Sequence, residues 1–317
     1  TMLRPRTPTS VWTRPAGVKT WPPFRTRSKL WLIRRMLYPL ARGVPVPSFN
    51  AMIAYLDDRT VLVVSGEDVR GFLNGLVTND VSEKTLTHET PVWAGLLSAQ
   101  GKYLADMILY DGGEAGIFID VHKSRADDLA KKLRMYRLRR AIEIAPSGLR
   151  VFAGWKDKAL AHPHDPRLPA LGWRWLAAGG FADKTAADWH AWRIGIGVPD
   201  TPDFEVDKTM WLETNAAELN GVSFSKGCYV GQENTARMNW RAKVNKRFVP
   251  VMLAEPVGDE HTIMAGDREA GTLRSFEGAR GIAYLRVEYA GALLTLGGHP
   301  VSVEWPEWLP RPAVGED

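Results

Sequence analysis

The residue types best suited to chemistry surround Cys228, the only cysteine among the 317 residues of the chain. If residues 225–229 are extended, side chains two positions apart face the same way, so the ammonium group of Lys226 and the thiol of Cys228 would share one space. A cation that close favours the thiolate, which is the reactive form of cysteine. Gly227 lies between them and would allow a flat ligand or a partner to approach the backbone. The alternative is a small buried cysteine with no chemical role.

A short helix is predicted directly after this cysteine. Gly231 is expected to turn the chain, and Gln232 and Glu233 then open the helix. Within it Glu233 and Arg237 are four residues apart, which is close enough for an ion pair. We therefore expect polar side chains of this helix to hold the cysteine loop or to contact a ligand beside it.

A single cysteine limits the sites that the chain can build alone. It excludes an intramolecular disulfide and fits a reducing compartment. Iron–sulfur clusters and cysteine-based zinc sites take about four protein ligands, so this chain cannot house either by itself. His162 and His164 have no further ligands at metal spacing, so a surface loop is predicted there. No metal site is expected.

The positive charge is concentrated at one end of the sequence. Residues 1–51 contain eight Arg and two Lys with no Asp or Glu, and the whole chain has a net charge of +5. Subtracting the +10 of this segment leaves −5 for the rest, so a broad basic face for nucleic acid is not indicated. No apolar run approaches the length of about 18 residues that would span a bilayer. We therefore expect neither nucleic acid nor a membrane as a direct partner.

Three hypotheses apply to the basic, proline-rich residues 1–51. An organellar transit peptide is Arg-rich and acid-poor, but it should be amphipathic, and this much proline argues against a helix. A basic interaction arm is the second hypothesis. The third, which we adopt, is a disordered extension or a mis-set start ahead of Met52. No function is assigned to the segment.

Hydrophobic periodicity predicts short strands and helices beyond Met52. Apolar residues at helical spacing, Val69, Phe72, Leu73 and Leu76, predict a helix that ends near residues 78–80. Two more helices are predicted at Ser124–Arg140, with Ser124 and Asp127 as a capping box, and at Thr185–Ile194, with Thr185 and Asp188 as its cap. Strands are predicted at Thr60–Val64, Val92–Leu97, Tyr103–Tyr110, Phe248–Leu253, Gly271–Phe276, Gly281–Val287 and Val301–Trp305. The last four, punctuated by Gly and Pro, favour a small antiparallel barrel or sandwich.

A resemblance to a known family is carried by residues 226–233, which read KGCYVGQE. This run closely resembles the signature of the YgfZ family, folate-binding proteins of iron–sulfur cluster maturation. Their fold is related to that of the glycine-cleavage T-protein, an aminomethyltransferase. The resemblance covers about residues 53–305. It implies an α+β fold with a three-lobed folate-binding body around a central cavity and a C-terminal antiparallel β-barrel. The implied domains are the extension 1–51, the folate-binding body 52–244 and the barrel 245–317.

The resemblance also implies a set of residues for binding tetrahydrofolate. Lys226 and Cys228 would be the reactive pair, and Arg139, at the basic end of a helix, would bind the carboxylated tail of the folate. The other implied contacts are Asn79, Asp106, Glu213, Asn215, Tyr229, Gln232, Glu233 and Arg237.

Two departures bear on the chemistry of the aminomethyltransferase. The acid pair of the T-protein is matched by Ala105 and Asp106, so one acid is missing. The glutamate that grips the pterin in the T-protein is matched by Gly195. Both differences put aminomethyl transfer in doubt.

The leading hypothesis is therefore a non-enzymatic, tetrahydrofolate-binding factor for the assembly or repair of [4Fe–4S] proteins. Its partners would be folate and iron–sulfur apo-proteins or carrier proteins. A folate-dependent aminomethyl or one-carbon transferase is the alternative, and a scaffold that binds neither folate nor thiol partners is the third hypothesis. The expected location is the bacterial cytoplasm, with the mitochondrial matrix as the alternative.

Overall fold

The computed structural model describes residues 51–156, 160–241 and 244–311. The predicted extension therefore lies, except for Ala51, outside the described residues, and the predicted domain boundaries stay predictions. The described α-helices are α1 (Val69–Asn74), α2 (Lys123–Tyr136), α3 (Ala186–Ile196) and α4 (Gln232–Trp240). The described strands are β1 (Met52–Tyr55), β2 (Arg59–Gly66), β3 (Val92–Leu97), β4 (Tyr103–Asp111), β5 (Ile117–His122), β6 (Ile142–Pro146), β7 (Arg150–Trp155), β8 (Trp173–Ala177), β9 (Lys246–Leu253), β10 (Thr262–Ala265), β11 (Arg268–Glu277), β12 (Arg280–Arg286), β13 (Leu294–Leu296) and β14 (His299–Val303).

The strands form three antiparallel sheets. A five-stranded sheet has the order β3-β4-β5-β2-β6, and a three-stranded sheet has the order β1-β7-β8. The remaining six strands close into a barrel in the order β10-β11-β12-β9-β14-β13. The predicted α+β fold with a C-terminal barrel is confirmed. Among the described residues, no helix has the length and apolar character needed to cross a bilayer.

The five-stranded sheet contains the larger core and receives α1 and α2. All six residues of β3 are buried, and α2 contributes Ala126, Leu129, Ala130 and Leu133, which are spaced to lie along one helical face. The predicted start and end of α2 were wrong. Its N-cap is His122, whose Nδ1 accepts a hydrogen bond from the backbone N–H of Ser124, and the helix ends at Tyr136, four residues early.

The predicted helix ending near residues 78–80 was too long, because α1 ends at Asn74 with Gly75 as its C-cap. Several other predictions of local structure were confirmed. The Thr185–Asp188 capping box begins α3 as expected. The four predicted barrel strands are present as β9, β11, β12 and β14. Two barrel strands were missed, because β10 has four residues and β13 only three. Runs this short carry too little alternation to be recognised.

A short 3-10 helix, Thr201–Asp203, connects the five-stranded sheet to the barrel. The hydroxyl of Thr201 donates to Oδ1 of Asp106 in β4 at 2.7 Å. Asp203 accepts a hydrogen bond at its Oδ1 from the backbone N–H of Ser275 in β11 at 3.0 Å. Both carboxylates are 1% exposed, so each connection is shielded from solvent.

Buried charges connect the five-stranded sheet to the three-stranded sheet. Asp120 in β5 accepts hydrogen bonds from Arg59 in β2 and, at 2.7 Å, from Nε of Arg174 in β8. Nη1 of Arg59 and Nη1 of Arg167 lie 3.6 and 3.4 Å from Oδ1 of Asp200. Burial disfavours the ionised form of Asp200, yet the guanidinium groups of Arg167 and Arg59 hold the pKa of this carboxyl well below its usual range. The two sheets are therefore joined by compensating charges.

Removing one of these charges should destabilise the fold. We expect Asp120→Asn to lower the free energy of unfolding by about 3–5 kcal/mol, because two buried guanidinium groups would lose their shared counter-ion. Thermal and urea unfolding measure the loss. Lys208→Met, which removes the exposed ion pair with Glu205, is the control and should change stability little. Equal stability of the two variants would contradict this account.

Candidate functional site

Cys228 lies on an open loop between the 3-10 helix Trp211–Thr214 and α4. Its side chain is exposed and free of any disulfide. The chain bends at residues 224–226 instead of continuing as a strand, so the predicted extended geometry was wrong. A Cβ atom added to Gly227 would meet no other atom within 4 Å. The loop is thus accessible to another molecule, and the alternative of a small buried cysteine is excluded.

The ammonium group of Lys226 anchors this loop to the end of α1. Nζ donates hydrogen bonds to the carbonyl oxygens of Asn74, Val77 and Asn79 at 2.8, 2.7 and 2.8 Å. Carbonyls at a helix C-terminus lack helical partners and carry the negative end of the helix dipole, so a cation is favourable there. Burial lowers the pKa of Lys226 to about 8, and the charge of Asp80 opposes that shift. The amine therefore remains mostly protonated near neutral pH.

The predicted pairing of Lys226 with Cys228 needs correction. A lysine ammonium has three N–H donors, and here all three are directed to backbone carbonyls. Nζ also lies 5.1 Å from the ring centroid of Tyr229, whose side chain is buried beneath the loop. Lys226 and Tyr229 consequently support the loop from the protein side, and the Lys226 ammonium has no donor left for a ligand of the thiol.

Gly231 and Gln232 fix the other end of the loop. As predicted, Gly231 turns the chain, with φ +82°, and α4 begins at Gln232. A Cβ atom on Gly231 would lie 2.4 Å from the carbonyl oxygen of Ser98, so only glycine fits. Oε1 of Gln232 accepts a hydrogen bond from the backbone N–H of Tyr229 at 3.2 Å. Gln232 therefore stabilises the loop.

The outer face of α4 presents side chains that the sequence analysis did not single out. Trp240 is 90% exposed and Phe224, in the loop itself, is 47% exposed. Glu233 and Arg237 are also exposed, although the described residues contain no ion pair between them. In the structure only Thr235 of α4 is buried. The polar composition of this nine-residue helix was therefore a sequence signal that its tryptophan would be exposed.

Asp106 is committed to the protein interior. Its carboxylate accepts hydrogen bonds from Nε1 of Trp93 at 3.1 Å and from the hydroxyl of Tyr103 at 2.9 Å, in addition to the bond from Thr201. Burial and the neighbouring Asp106 charge raise the pKa of Tyr103 well above its usual value, so this hydroxyl stays protonated and donates. Both oxygens of Asp106 are therefore occupied, and Ala105 beside it is buried in the core.

Glu213 and Asn215 connect to the barrel. Oε2 of Glu213 accepts hydrogen bonds from the hydroxyl of Tyr284 at 2.6 Å and from the backbone N–H of Met210 at 2.9 Å. Burial raises the pKa of Glu213, while these hydrogen bonds oppose the shift. Nδ2 of Asn215 donates to the carbonyl oxygen of Phe248 at 2.7 Å. Both side chains therefore position β9 and β12.

Asn79 and Arg139, two further residues predicted to contact folate, lie in different parts of the structure. Nδ2 of Asn79 donates to the carbonyl oxygens of Trp93 and Asn220 at 2.9 and 2.7 Å, so this side chain connects two loops. Arg139 lies in the turn after α2 and is exposed.

The aromatic rings that were expected to line a ligand cavity pack on one another. The ring centroids of Trp93 and Trp211 are 4.9 Å apart, and Tyr103 stacks on Trp211 at 6.3 Å. None of the three is more than 1% exposed. A Cβ atom on Gly221 would lie 2.5 Å from the Trp93 ring, which shows how closely this centre is filled.

The residues predicted to bind folate do not fit that role in the arrangement observed. Asp106, Glu213 and Asn215 are buried and bonded to protein atoms, and the aromatic faces between them are covered by each other. A pterin needs free donors, free acceptors and open ring faces. The polar side chains that remain exposed, Glu233, Arg237 and Arg139, lie on outer surfaces.

Metal chemistry within the chain is limited in the same way. Within residues 51–156, 160–241 and 244–311, no group of three or more His, Cys, Asp or Glu side chains is placed to hold a metal ion. The thiol of Cys228 can supply one ligand to a metal that another molecule brings. Any such metal centre would be shared between two molecules.

Comparison with solved structures identifies the class of fold. The structure described as glycine cleavage system aminomethyltransferase T from Bartonella henselae superposes with a TM-score of 0.62 over 83% of this chain and 87% of that protein, at 13% sequence identity. A family model described as CAF17, C-terminal beta-barrel domain, matches residues 245–311. The chain thus has the aminomethyltransferase T fold with a C-terminal barrel.

Sequence comparison identifies the family. The Homo sapiens protein named "Iron-sulfur cluster assembly factor IBA57, mitochondrial" is 32% identical over 272 residues, which cover 73% of this chain and 76% of that protein. Its Mus musculus counterpart is 31% identical and covers 74% and 77%. A homologue from Mycosarcoma maydis is 33% identical over 63% of this chain and 56% of its own length. The chain belongs to the IBA57 family, which replaces YgfZ as the family name within the predicted superfamily.

The separate roles of Lys226 and Cys228 can be distinguished by stability. We expect Lys226→Met to lower the free energy of unfolding by about 1–3 kcal/mol, because three partly buried carbonyl groups would lose their donor. Cys228→Ser should change it by less than about 0.5 kcal/mol, because the side chain is exposed. Urea unfolding of both variants measures the difference. Equal stability would show that the ammonium does not anchor the loop.

Proposed function

We propose that this protein is an accessory factor in the assembly of iron–sulfur proteins and that it acts through Cys228. The observation that carries the proposal is the exposure of the chain's single thiol on a loop that Lys226 fixes from beneath. The names of its IBA57 relatives, which are iron–sulfur cluster assembly factors, support the same role. The cluster is the cargo of such a factor.

The ligand count defines how the factor would work. An iron–sulfur cluster takes about four protein ligands, and this chain has one cysteine. The other ligands must come from a second protein, either a carrier that delivers the cluster or the apo-protein that receives it. We therefore propose carriers and [4Fe–4S] apo-proteins as the partners, with Cys228 as a transient ligand between them.

The chemical step is a ligand exchange without a change of oxidation state. The Cys228 thiol loses its proton to solvent, and the thiolate donates an electron pair to iron. The iron–ligand bond to the donor protein breaks, and the departing ligand takes up a proton. A second exchange of the same kind passes the iron to the recipient and returns Cys228 to its free form. The exposed position of the thiol allows both proteins to reach it.

The proposed location is the mitochondrial matrix. The names of the human, mouse and fungal relatives all include the word mitochondrial. They support the alternative location from the sequence analysis over the bacterial cytoplasm. A matrix location also agrees with a free cysteine, since a reducing compartment keeps thiols reduced.

Tetrahydrofolate binding stays a prediction that rests on the family resemblance. We propose the assembly role without a folate site, because Asp106, Glu213 and Asn215 already have partners within the protein. Aminomethyl transfer is not favoured by any observation. Ala105 faces the core, and Gly195 offers only its carbonyl oxygen, which accepts a hydrogen bond from Nη1 of Arg280 at 2.8 Å. Likeness to the aminomethyltransferase at 13% identity concerns the fold alone.

Replacement of Cys228 tests the proposed role in cells. In cells that depend on this protein, Cys228→Ser should reduce the activities of [4Fe–4S] enzymes to the level found without the protein, because oxygen is a poor substitute for a thiolate ligand of iron. Enzymes without iron–sulfur clusters should keep their activity. Ser225→Ala, an exposed position in the same loop, is the matched control and should support normal activities. Unchanged [4Fe–4S] enzymes in the Cys228→Ser cells would contradict the proposal.

Calorimetric titration with tetrahydrofolate tests the ligand. We expect no saturable heat from the purified protein, because Asp106, Glu213 and Asn215 already have internal partners. An aminomethyltransferase T preparation serves as the positive control for the ligand. Binding at a one-to-one ratio would show that the buried centre opens and would add folate to the proposed function.

A further inference from the structure

The end of α2 and the turn after it form an unusual surface, which we call the α2 tip and define as residues 131–140. Two apolar side chains project from it. Leu138 is 84% exposed and Met135 is 58% exposed. Scattered exposed leucines are common, but these two lie three residues apart on the same turn of chain.

The backbone at Leu138 is strained, and its exposed side chain gains no internal packing that would offset the strain. Its φ angle is +51°, a conformation that Gly and Asn adopt readily and that is unfavourable for a leucine. A residue in such a conformation is normally held by its surroundings. The Leu138 side chain instead faces solvent, so stability alone would favour Gly or Asn at this position. A leucine at this position is explained if its side chain contacts another molecule.

Cations surround these apolar side chains. The sequence from 131 to 140 is KKLRMYRLRR, with six basic residues and no acid. Arg134 and Arg137 donate to the carbonyl oxygens of Ile144 and Ile142 and so fasten the tip to β6. Among the described residues, Lys131, Lys132 and Arg139 have no ion-pair partner. Arg140 lies 3.9 Å from Asp68 across a solvent-exposed gap.

The combination of aliphatic and basic side chains favours one kind of occupant. Arg and Met are common at protein interfaces, but Lys is depleted there and leucine is under-represented among the energetic hot spots. Lys131, Lys132 and Leu138 therefore argue against a protein partner. Apolar side chains surrounded by Lys and Arg are typical of segments that lie on anionic bilayers. The basic tip also contrasts with the formal charge of −5 that remains outside residues 1–51.

We propose that the α2 tip docks on the surface of a bilayer that contains anionic lipid. Leu138 and Met135 would enter the interface between head groups and acyl chains, and Lys131, Lys132, Arg139 and Arg140 would bind lipid phosphates. Such docking needs no spanning helix, so it agrees with the absence of one among the described residues. It revises the expectation that the protein has no membrane partner.

Vesicle sedimentation of the full-length protein tests this proposal. The probes are vesicles of phosphatidylcholine alone and of phosphatidylcholine with about 30% phosphatidylserine. Residues 1–51 are themselves basic, so variants are compared with one another. Leu138→Asn should lower partitioning onto the anionic vesicles about tenfold, the effect of withdrawing one buried leucine. Its melting temperature should stay the same or rise, because asparagine tolerates a positive φ.

Two further variants complete the comparison. Leu293→Asn removes a leucine that is 93% exposed near the barrel strand β13, and it should bind vesicles as the unaltered protein does. Lys131→Gln with Lys132→Gln should weaken anionic binding about fivefold for each cation. Raising the ionic strength to about 1 M, where the screening length is about 3 Å, should release the protein.

Several outcomes would overturn the proposal. One is equal binding of Leu138→Asn and Leu293→Asn to anionic vesicles. Another is equal binding of the unaltered protein to neutral and anionic vesicles. Absence of binding to either would also overturn it and would leave an acidic protein surface as the occupant of the tip. None of these results depends on Cys228, so the proposed function can fail or hold independently.

Discussion

The segment from Asp200 to Asp203 contacts the five-stranded sheet, the barrel and Arg167 in the loop between β7 and β8, and the side chains that make these contacts are buried. Asp200 faces the arginines that join the five-stranded and three-stranded sheets, Thr201 bonds to Asp106, and Asp203 bonds to the barrel. A buried carboxylate is costly unless cations or donors satisfy it. Each of these side chains can be satisfied only when its partner sheet is in place. The arrangement of the three sheets is therefore specified by directional bonds as well as by apolar packing.

This frame explains why the centre and the surface of the protein have different roles. The central polar side chains that could have bound a ligand instead form hydrogen bonds that join the sheets. Trp93, Trp211 and Tyr103 fill the space between these side chains. Functional groups are left at the surface. There, Lys226 uses its three donors to fix a loop, and Cys228 two residues later remains free. Lys226 therefore fixes the position of the thiol. The reactivity of the thiol is set by the partner that approaches it.

The sequence predicted features that depend on neighbouring residues. The strand Val92–Leu97 and the capping box at Thr185 were predicted correctly because their signals lie within a few positions, and the α+β fold followed from the family resemblance. The sequence could not predict the role of Lys226, because the carbonyl groups that accept its hydrogen bonds are about 150 residues away along the chain. The bonds from Thr201 to Asp106 and from Tyr284 to Glu213 were missed for the same reason, since these partners are 95 and 71 residues apart. A polar residue in a motif is compatible with ligand binding or with structure, and only its distant partners decide between them.

The two exposed features lie at opposite ends of one short helix. Arg140 of the α2 tip approaches Asp68 and the ring of Phe72, at the N-terminus and middle of α1, while Lys226 binds the carbonyl oxygens at its C-terminus. A helix of six residues is only about 9 Å long. A protein docked on a bilayer through the tip would thus hold its thiol close to that surface. Docking through the tip would therefore confine the diffusion of the thiol to the plane of the membrane.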